Sequence, residues 1–132
     1  LLFEVVLFCG FIIRGGMKYK VVFQITTADQ EVQQAMIRQL FNLLVHFEAT
    51  GVKVEVVVHG QAWPLLLAHN NSFLTDLQDL EKKGVKWLLC GNTQKQQGLT
   101  AAQLLSFVGI VAAGIGHLVE RQQEGWAYIR SC

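Results

Sequence analysis

The chain has 132 residues, of which 52% are apolar and 16% charged, and its formal net charge is +1. This length suits a single domain with one core, and so small a net charge gives no strong field to attract nucleic acid or an anionic membrane. Cys9, Cys90 and Cys132 are far apart in the sequence, which argues against a disulfide framework and against a zinc site. We therefore expect a cytoplasmic protein with no metal, no direct nucleic-acid partner and no membrane partner.

The first sixteen residues do not follow the pattern of the rest of the chain. Their apolar run is shorter than the ~20 residues that cross a bilayer, and it lacks the basic start and the cleavage site of a secretory signal. Residues 14–16, Arg-Gly-Gly, stand just before Met17, and they are what a purine-rich ribosome-binding sequence gives when it is read as codons. We expect residues 1–16 to be an extension outside the native protein and residues 17–132 to form the domain. An added apolar strand or an interface arm is the alternative.

The first strand and the first helix follow this extension. Residues 19–27 are rich in β-branched and aromatic side chains and have the length of a strand. Residues 28–51 carry apolar side chains three and four positions apart, which predicts a helix. Thr27 with Gln30 predicts a capping box at the start of this helix, and Gly51 is placed to end it.

A second strand and a second helical region are predicted next. Residues 52–60 alternate at first and then become continuously apolar, as in a strand that is covered on both faces. Pro64 suits the first turn of a helix. Ser72 is the predicted N-cap of a further helix with one apolar face, and Gly84 is predicted to close it.

The remaining elements continue the alternation. We predict a third strand over residues 85–90, a short helix within 92–106, a fourth strand over 107–114, a last helix over 115–125, and a fifth strand or tail over 126–132. Alternating strands and helices are typical of a three-layer α/β domain with a mainly parallel sheet. Ligands and chemistry in such domains gather outside the carboxyl ends of the strands.

Cys90 lies at such a strand end, just before a predicted helix. Unsatisfied amides of the next turn, from Asn92 to Lys95, would favour a thiolate there, and the charge of Lys95 would add to the effect. A free cysteine is also among the residues most often buried, so Cys90 as a small apolar side chain at the core edge is the alternative. The sequence leaves both interpretations open.

His59 ends the second strand and is followed by Gly60, a residue that allows a sharp turn. The imidazole would serve as a proton carrier or an anion contact, or would simply make one backbone hydrogen bond. The spacing Gly114-x-Gly116 offers a weak nucleotide-binding signal, because Val119 stands where a third small residue would be needed. A regulator that binds a small molecule or nucleotide through these glycines is therefore a further alternative.

Four segments of the chain form a recognisable set: a strand that ends "VVVHG", the later strand "VKWLLC" that ends in Cys90, and the segments "VGIVAAG" and "EGWAYI". Together they resemble the DsrE/DsrF-like family of small sulfur-handling proteins. The resemblance covers nearly all of residues 17–132. It implies a single α/β/α domain with a mainly parallel five-stranded sheet, assembled as a homotrimer or hexamer.

The resemblance also implies a function, an intracellular sulfur relay of the sulfurtransferase type. Cys90 would accept and donate sulfane sulfur as a persulfide, in exchange with donor and acceptor proteins and with no cofactor. We expect its sulfur to face solvent within a ring of backbone donors. The expected binding residues are His59, Gly60, Gly91, Asn92, Thr93 and Lys95. A non-catalytic oligomeric scaffold of the same fold, with a structural Cys90, is the alternative function.

Overall fold

A computed structural model describes residues 18–132 of the chain. The prediction that Met17 is the native start and that residues 1–16 form an extension lies outside the described residues. The strands are β1 (Lys20–Ile25), β2 (Lys53–Val58), β3 (Val85–Cys90), β4 (Gly109–Val111) and β5 (Ala127–Ser131). The α-helices are α1 (Gln30–His46), α2 (Leu74–Lys82), α3 (Gly91–Gln97) and α4 (Gly114–Gln123), and two short 3₁₀ helices span Gly60–Leu66 and Ala101–Gln103.

The five strands form one sheet in the order β4-β3-β2-β1-β5, and all four strand pairs are parallel. The predicted α/β class is confirmed, and the sheet is wholly parallel within the described chain. Since the chain visits β1 to β4 in one direction and then returns to place β5 beside β1, the connection through α4 spans the sheet. Every strand therefore points its carboxyl end at the same edge.

The two faces of the sheet are covered differently. The first face packs on α1 and α2 and carries the main core, in which Phe23, Leu40 and Trp87 are almost fully buried. The second face packs on α4 through a small apolar cluster made by Val22, Val57, Leu118 and Trp126. Side chains alternate between the faces along each strand, so β1 sends Phe23 to the first face and Val22 to the second. The sheet lies between helices, as an α/β/α domain requires.

Two predicted helix starts are wrong in detail. The N-cap of α1 is Asp29, whose carboxylate accepts the Glu31 N–H at 2.9 Å, and Thr27 instead accepts the N–H of Asp29. An ionised side chain next to the first helical residue is a stronger acceptor than a hydroxyl two positions earlier. Before α2, Asn71 rather than Ser72 accepts the free N–H of Phe73.

The predicted ends of some elements also shift. Helix α1 ends at His46, and Gly51, with φ of +79°, closes a turn that follows it. Strand β4 has three residues instead of the predicted eight, because it pairs only with the last three residues of β3 before the chain turns into α4. Pro64 lies inside the 3₁₀ helix and not in the first turn of an α-helix. The third strand has the predicted bounds, and the fifth is a strand rather than a tail.

Candidate functional site

The candidate site lies where the carboxyl ends of three neighbouring strands meet. In sheet order β2, β3 and β4 are adjacent, and they lead into His59, Cys90 and Gly114 respectively. Cys90 is both the last residue of β3 and the N-cap of α3. Gly114 is the first residue of α4. The sulfur therefore lies at the start of two helices, whose first N–H groups have no partner within their own helix.

The Cys90 sulfur is surrounded by hydrogen-bond donors. The backbone N–H of Gly114 lies 3.2 Å from Sγ. The backbone N–H groups of Asn92 and Thr93 and the Thr93 hydroxyl also lie close enough to lower the pKa of the Cys90 thiol. The Thr93 hydroxyl oxygen accepts in turn from the N–H of Gly60 at 3.2 Å, which joins the end of β2 to the site. Donors from the starts of α3 and α4 thus lie around one sulfur atom, and Gly60 is linked to them through Thr93.

Burial and hydrogen bonding act in opposite directions on the Cys90 thiol. Burial raises its pKa, because a charged sulfur loses solvation, while the donors on Asn92, Thr93 and Gly114 lower it. The pKa is lowered on balance, which favours a thiolate. Cys90 is nevertheless only 6% exposed in the single chain, so the expectation that its sulfur faces solvent is wrong. The strand end is packed more closely than a sequence pattern indicates, because α4 closes over it.

Two glycines allow the chain to pack this closely. A Cβ on Gly91 would lie 2.9 Å from the Val111 carbonyl oxygen, so β4 has no room for a side chain there. A Cβ on Gly114 would lie 3.3 Å from Cys90 Cβ and 3.4 Å from His59 Cγ. Gly114 therefore fills the space between Cys90 and the His59 ring, and its lack of a side chain brings its N–H to the sulfur.

The His59 ring is fixed by a chain of side chains on the second face of the sheet. Its Nε2 lies 2.8 Å from the Nε2 of Gln24, a buried residue of β1. The Tyr128 hydroxyl of β5 donates to the Gln24 Oε1. Burial lowers the pKa of His59, and the nearby positive charge of Arg130 lowers it further. The imidazole is therefore neutral at physiological pH.

The predicted site residues do not all reach the sulfur in the same way. Asn92 contributes its backbone N–H, while the residue as a whole is exposed. Lys95 lies exposed in the last turn of α3 and is not among the groups that shift the pKa of Cys90. Cys132 is exposed beyond the end of β5, and β2 and β1 lie between that strand and β3.

Two contributors were missed by sequence reasoning, and the role of a third, Gly114, was not assigned. Gly114 was expected at the end of the fourth strand and in a weak nucleotide signal, whereas its N–H bonds the sulfur. Gln24 and Tyr128 are more than a hundred positions apart and meet only because β5 returns to pair with β1. The sequence signal that could have indicated them was Gln24, a polar residue within an otherwise apolar strand, because a buried amide needs a hydrogen-bond partner.

A buried charge cluster holds α4 against the sheet beside the site. Glu55 of β2 is 2% exposed, and its carboxylate accepts two hydrogen bonds from Arg121 at 2.9 Å. His117 Nε2 lies 2.7 Å from the same carboxylate. The Arg121 guanidinium also stacks over the Trp126 ring at 4.8 Å and bonds Glu124. This cluster and Leu118 hold α4 against the sheet. The first N–H of α4 is the one that reaches Cys90.

Among residues 18–132, no three His, Cys, Asp or Glu side chains are grouped so that they would hold a metal ion. Over the same residues, no helix has both the length and the apolar character needed to cross a membrane.

Comparison with known proteins gives a family and two structural relatives. The model of the DsrE/DsrF-like family matches residues 19–130. A protein of unknown function from Methanobacterium thermoautotrophicum, MTH1491, is 34% identical with a TM-score of 0.79, over 86% of this chain and 99% of that one. A conserved protein of unknown function from Bacteroides thetaiotaomicron, BT1422, is 15% identical with a TM-score of 0.64, over 84% of this chain and 93% of that one, and at this identity it shows the fold alone. No curated protein matches the chain.

Proposed function

The chain belongs to the DsrE/DsrF-like family, and from this premise we propose that it relays sulfane sulfur as a persulfide on Cys90. The observation that supports the proposal most directly is the hydrogen bond from the Gly114 N–H to the Cys90 sulfur at 3.2 Å, beside the Asn92 and Thr93 groups that also lower the pKa of the thiol. Backbone donors at helix starts stabilise an anion, and the attacking species in sulfur transfer is a thiolate.

The transfer consists of two exchange steps with no net oxidation. The Cys90 thiolate attacks the outer sulfur of a donor persulfide, R–S–SH. A bond forms between Cys90 Sγ and that sulfur, the donor's S–S bond breaks, and RS⁻ leaves with the bonding electron pair. An acceptor thiolate then attacks the outer sulfur of Cys90–S–SH and releases the Cys90 thiolate. The donors around Cys90 stabilise the anion before loading and after release.

Donor and acceptor are proposed to be thiols or persulfides on other proteins. Cys132 lies beyond β5, with two strands between that strand and β3, so a second cysteine of the described chain is not placed to resolve the persulfide. This arrangement supports hand-over to a partner. The proposal places the protein in a reducing compartment such as the cytoplasm, where Cys90 stays unpaired, and it needs no cofactor.

Mass spectrometry of the intact protein tests the proposal. After incubation with polysulfide and removal of excess reagent, we expect the wild-type protein to gain the mass of one sulfur atom and to lose it on treatment with a small thiol. Cys90→Ser should gain none. Cys132→Ser is the matched control and should load as the wild type does, because Cys132 is exposed and distant. Equal loading of Cys90→Ser and wild type would overturn the assignment.

The small exposure of Cys90 favours a second candidate function, an oligomeric binding or scaffold module in which the thiol only fills space. At 6% exposure the residue is as buried as many structural cysteines. Alkylation by iodoacetamide at neutral pH separates the two functions. A relay thiol should react at least as fast as a free thiol of ordinary pKa, whereas a structural thiol should react much more slowly.

A further inference from the structure

The side chains of Tyr128, Gln24 and His59 form a hydrogen-bonded chain that ends beside Cys90. The three residues come from β5, from β1 and from the turn after β2. Tyr128 donates to Gln24 Oε1, and Gln24 Nε2 lies 2.8 Å from His59 Nε2. The Gln24 side chain is thereby bonded at both ends of its amide.

This chain determines which nitrogen of His59 carries the proton. The Gln24 Nε2 group has only hydrogens to offer, so the His59 nitrogen that faces it must be the acceptor. A neutral imidazole has one acceptor nitrogen and one N–H, and the partner of one nitrogen fixes the role of the other. The proton of His59 is therefore on Nδ1. Nδ1 is one of the two ring atoms bonded to Cγ, and Cγ is the His59 atom nearest to the space that Gly114 leaves beside Cys90 Cβ.

We propose that Gln24 and Tyr128 are positioning residues that hold neutral His59 as the Nδ1–H tautomer, so that Nδ1–H is available as a hydrogen-bond donor to sulfur species on Cys90. The inference rests on the proposed function, because it assigns the donor a role in sulfur hand-over. A persulfide extends one sulfur atom beyond Sγ, out of the ring of backbone donors that stabilises the thiolate. The outer sulfur then needs a donor of its own, and the imidazole lies across Gly114 from Cys90.

The charged and titratable groups around His59 are consistent with a neutral ring. Arg130 of β5 carries a positive charge near the ring, and this charge disfavours protonation of the imidazole. Tyr128 of the same strand reaches His59 only through Gln24. Cys90 of β3 is the titratable group that lies across Gly114 from the ring, and its thiolate is compensated by its own backbone donors.

Nitrogen-15 NMR of the imidazole rings tests the tautomer directly. In the wild-type protein at neutral pH we expect His59 to show the chemical-shift pattern of a protonated Nδ1 and a bare Nε2. His46 and His69, which lie away from this chain of bonds, serve as references in the same spectra. A protonated Nε2 on His59 would overturn the inference.

Two substitutions test the roles of the positioning residues. In Gln24→Glu the carboxylate accepts from Nε2–H and favours the imidazolium, so the pKa of His59 should rise. In Tyr128→Phe the Gln24 amide loses the donor that orients it, so both neutral tautomers should appear. Tyr19→Phe is the matched control, since Tyr19 and Tyr128 are 37% and 40% exposed, and it should leave the His59 signals unchanged.

Sulfur hand-over gives the functional readout. Wild type and Tyr128→Phe are loaded with polysulfide, and release to β-mercaptoethanol is followed by mass. We expect the Tyr128→Phe release rate to fall in proportion to the lost Nδ1–H population, about twofold for an equal mixture of tautomers, with loading unchanged. Release at the wild-type rate despite a mixed tautomer would overturn the role in hand-over. Failure of the wild-type protein to load would instead contradict the proposed function and leave the tautomer assignment standing.

Discussion

At the scale of single residues, the behaviour of Cys90 is set by a competition between burial and hydrogen bonding. Burial disfavours the thiolate, while donors from Asn92, Thr93 and Gly114 favour it. A hydrogen bond to a charged group contributes about 1.5 to 3 kcal/mol, so these donors together outweigh the desolvation of the buried sulfur. The Gly114 N–H is the donor that depends on another helix, and it is the easiest to displace.

Substitution of Gly114 by alanine should weaken the thiolate. The new Cβ would lie 3.2 Å from Val57 Cγ1 and 3.3 Å from Cys90 Cβ, closer than an ordinary contact, and we expect the start of α4 to shift away from the sulfur in response. The pKa of Cys90 should rise, and alkylation by iodoacetamide at neutral pH should slow by about tenfold, which corresponds to one charge-assisted hydrogen bond. The rate measured as a function of pH gives both quantities.

Gly116→Ala is the matched control for this substitution. A Cβ there meets only Ala113 Cβ at 3.7 Å, an ordinary contact, and alanine favours a helix over glycine by about 1 kcal/mol. Gly116→Ala should therefore react at the wild-type rate with equal or greater stability. If both variants react as the wild type does, the Gly114 N–H does not stabilise the thiolate.

At the scale of elements, α4 is held by one charge cluster and few apolar contacts. Leu118 is the one apolar side chain of α4 that is buried in the small cluster on the second face of the sheet. Glu55, by contrast, bonds both Arg121 and His117. The carboxylate is buried, which raises its pKa, but the hydrogen bonds and charges of Arg121 and His117 outweigh burial and lower it. The position of α4, and with it the Gly114 N–H, therefore depends on an ionised Glu55.

This dependence predicts an acid limit to stability. A carboxyl whose folded-state pKa is below its ordinary value of 4.5 stabilises the fold above that pH, and this contribution is lost as the pH falls through the lowered pKa. Glu55→Gln should cost about 3 kcal/mol at neutral pH, because Arg121 loses a buried partner. The variant should also show a smaller loss of stability below pH 4.5 than the wild type. Urea unfolding over a pH series measures both effects.

Glu124→Gln is the matched control for the charge cluster. Glu124 bonds the same arginine at 2.8 Å, but its side chain is 52% exposed, so the pair should contribute less than about 1 kcal/mol. At low pH, the free energy of unfolding of this variant should fall as that of the wild type does. If the free energy of unfolding of Glu55→Gln also falls as that of the wild type does, Glu55 does not set the pH dependence of stability.

The elements differ in how well the sequence predicts them, and the differences have local causes. Strand β3 has the predicted bounds because a turn glycine precedes it and the start of α3 follows it. The helix caps were misassigned because several polar side chains compete within two positions, as Asp29 and Thr27 do. Strand β4 is short because it pairs only with the last three residues of β3, which no local pattern reveals.

At the scale of the whole molecule, the order of the strands decides which residues share the site. The alternation of strands and helices predicts a parallel sheet and places Cys90, His59 and Gly60 at its carboxyl edge. It does not predict that β5 lies beside β1, and this pairing is what brings Tyr128 to Gln24. The sulfur and its neighbours in sequence were therefore predictable, whereas the side chains that orient His59 were not.

Self-association is the prediction that belongs to the whole molecule. Helix α4 leaves Ile115 and Val119 exposed, and four positions apart they lie on one face of the helix, whereas Val45 is the single large apolar side chain that α1 exposes. We propose that copies of the chain assemble through this face of α4, because a paired apolar stripe gains more from burial than an isolated side chain. Light scattering at micromolar concentration should show an oligomer for the wild type and for Val45→Glu, and a smaller species for Val119→Glu. A wild-type monomer would contradict self-association, and an unchanged Val119→Glu oligomer would move the interface away from α4.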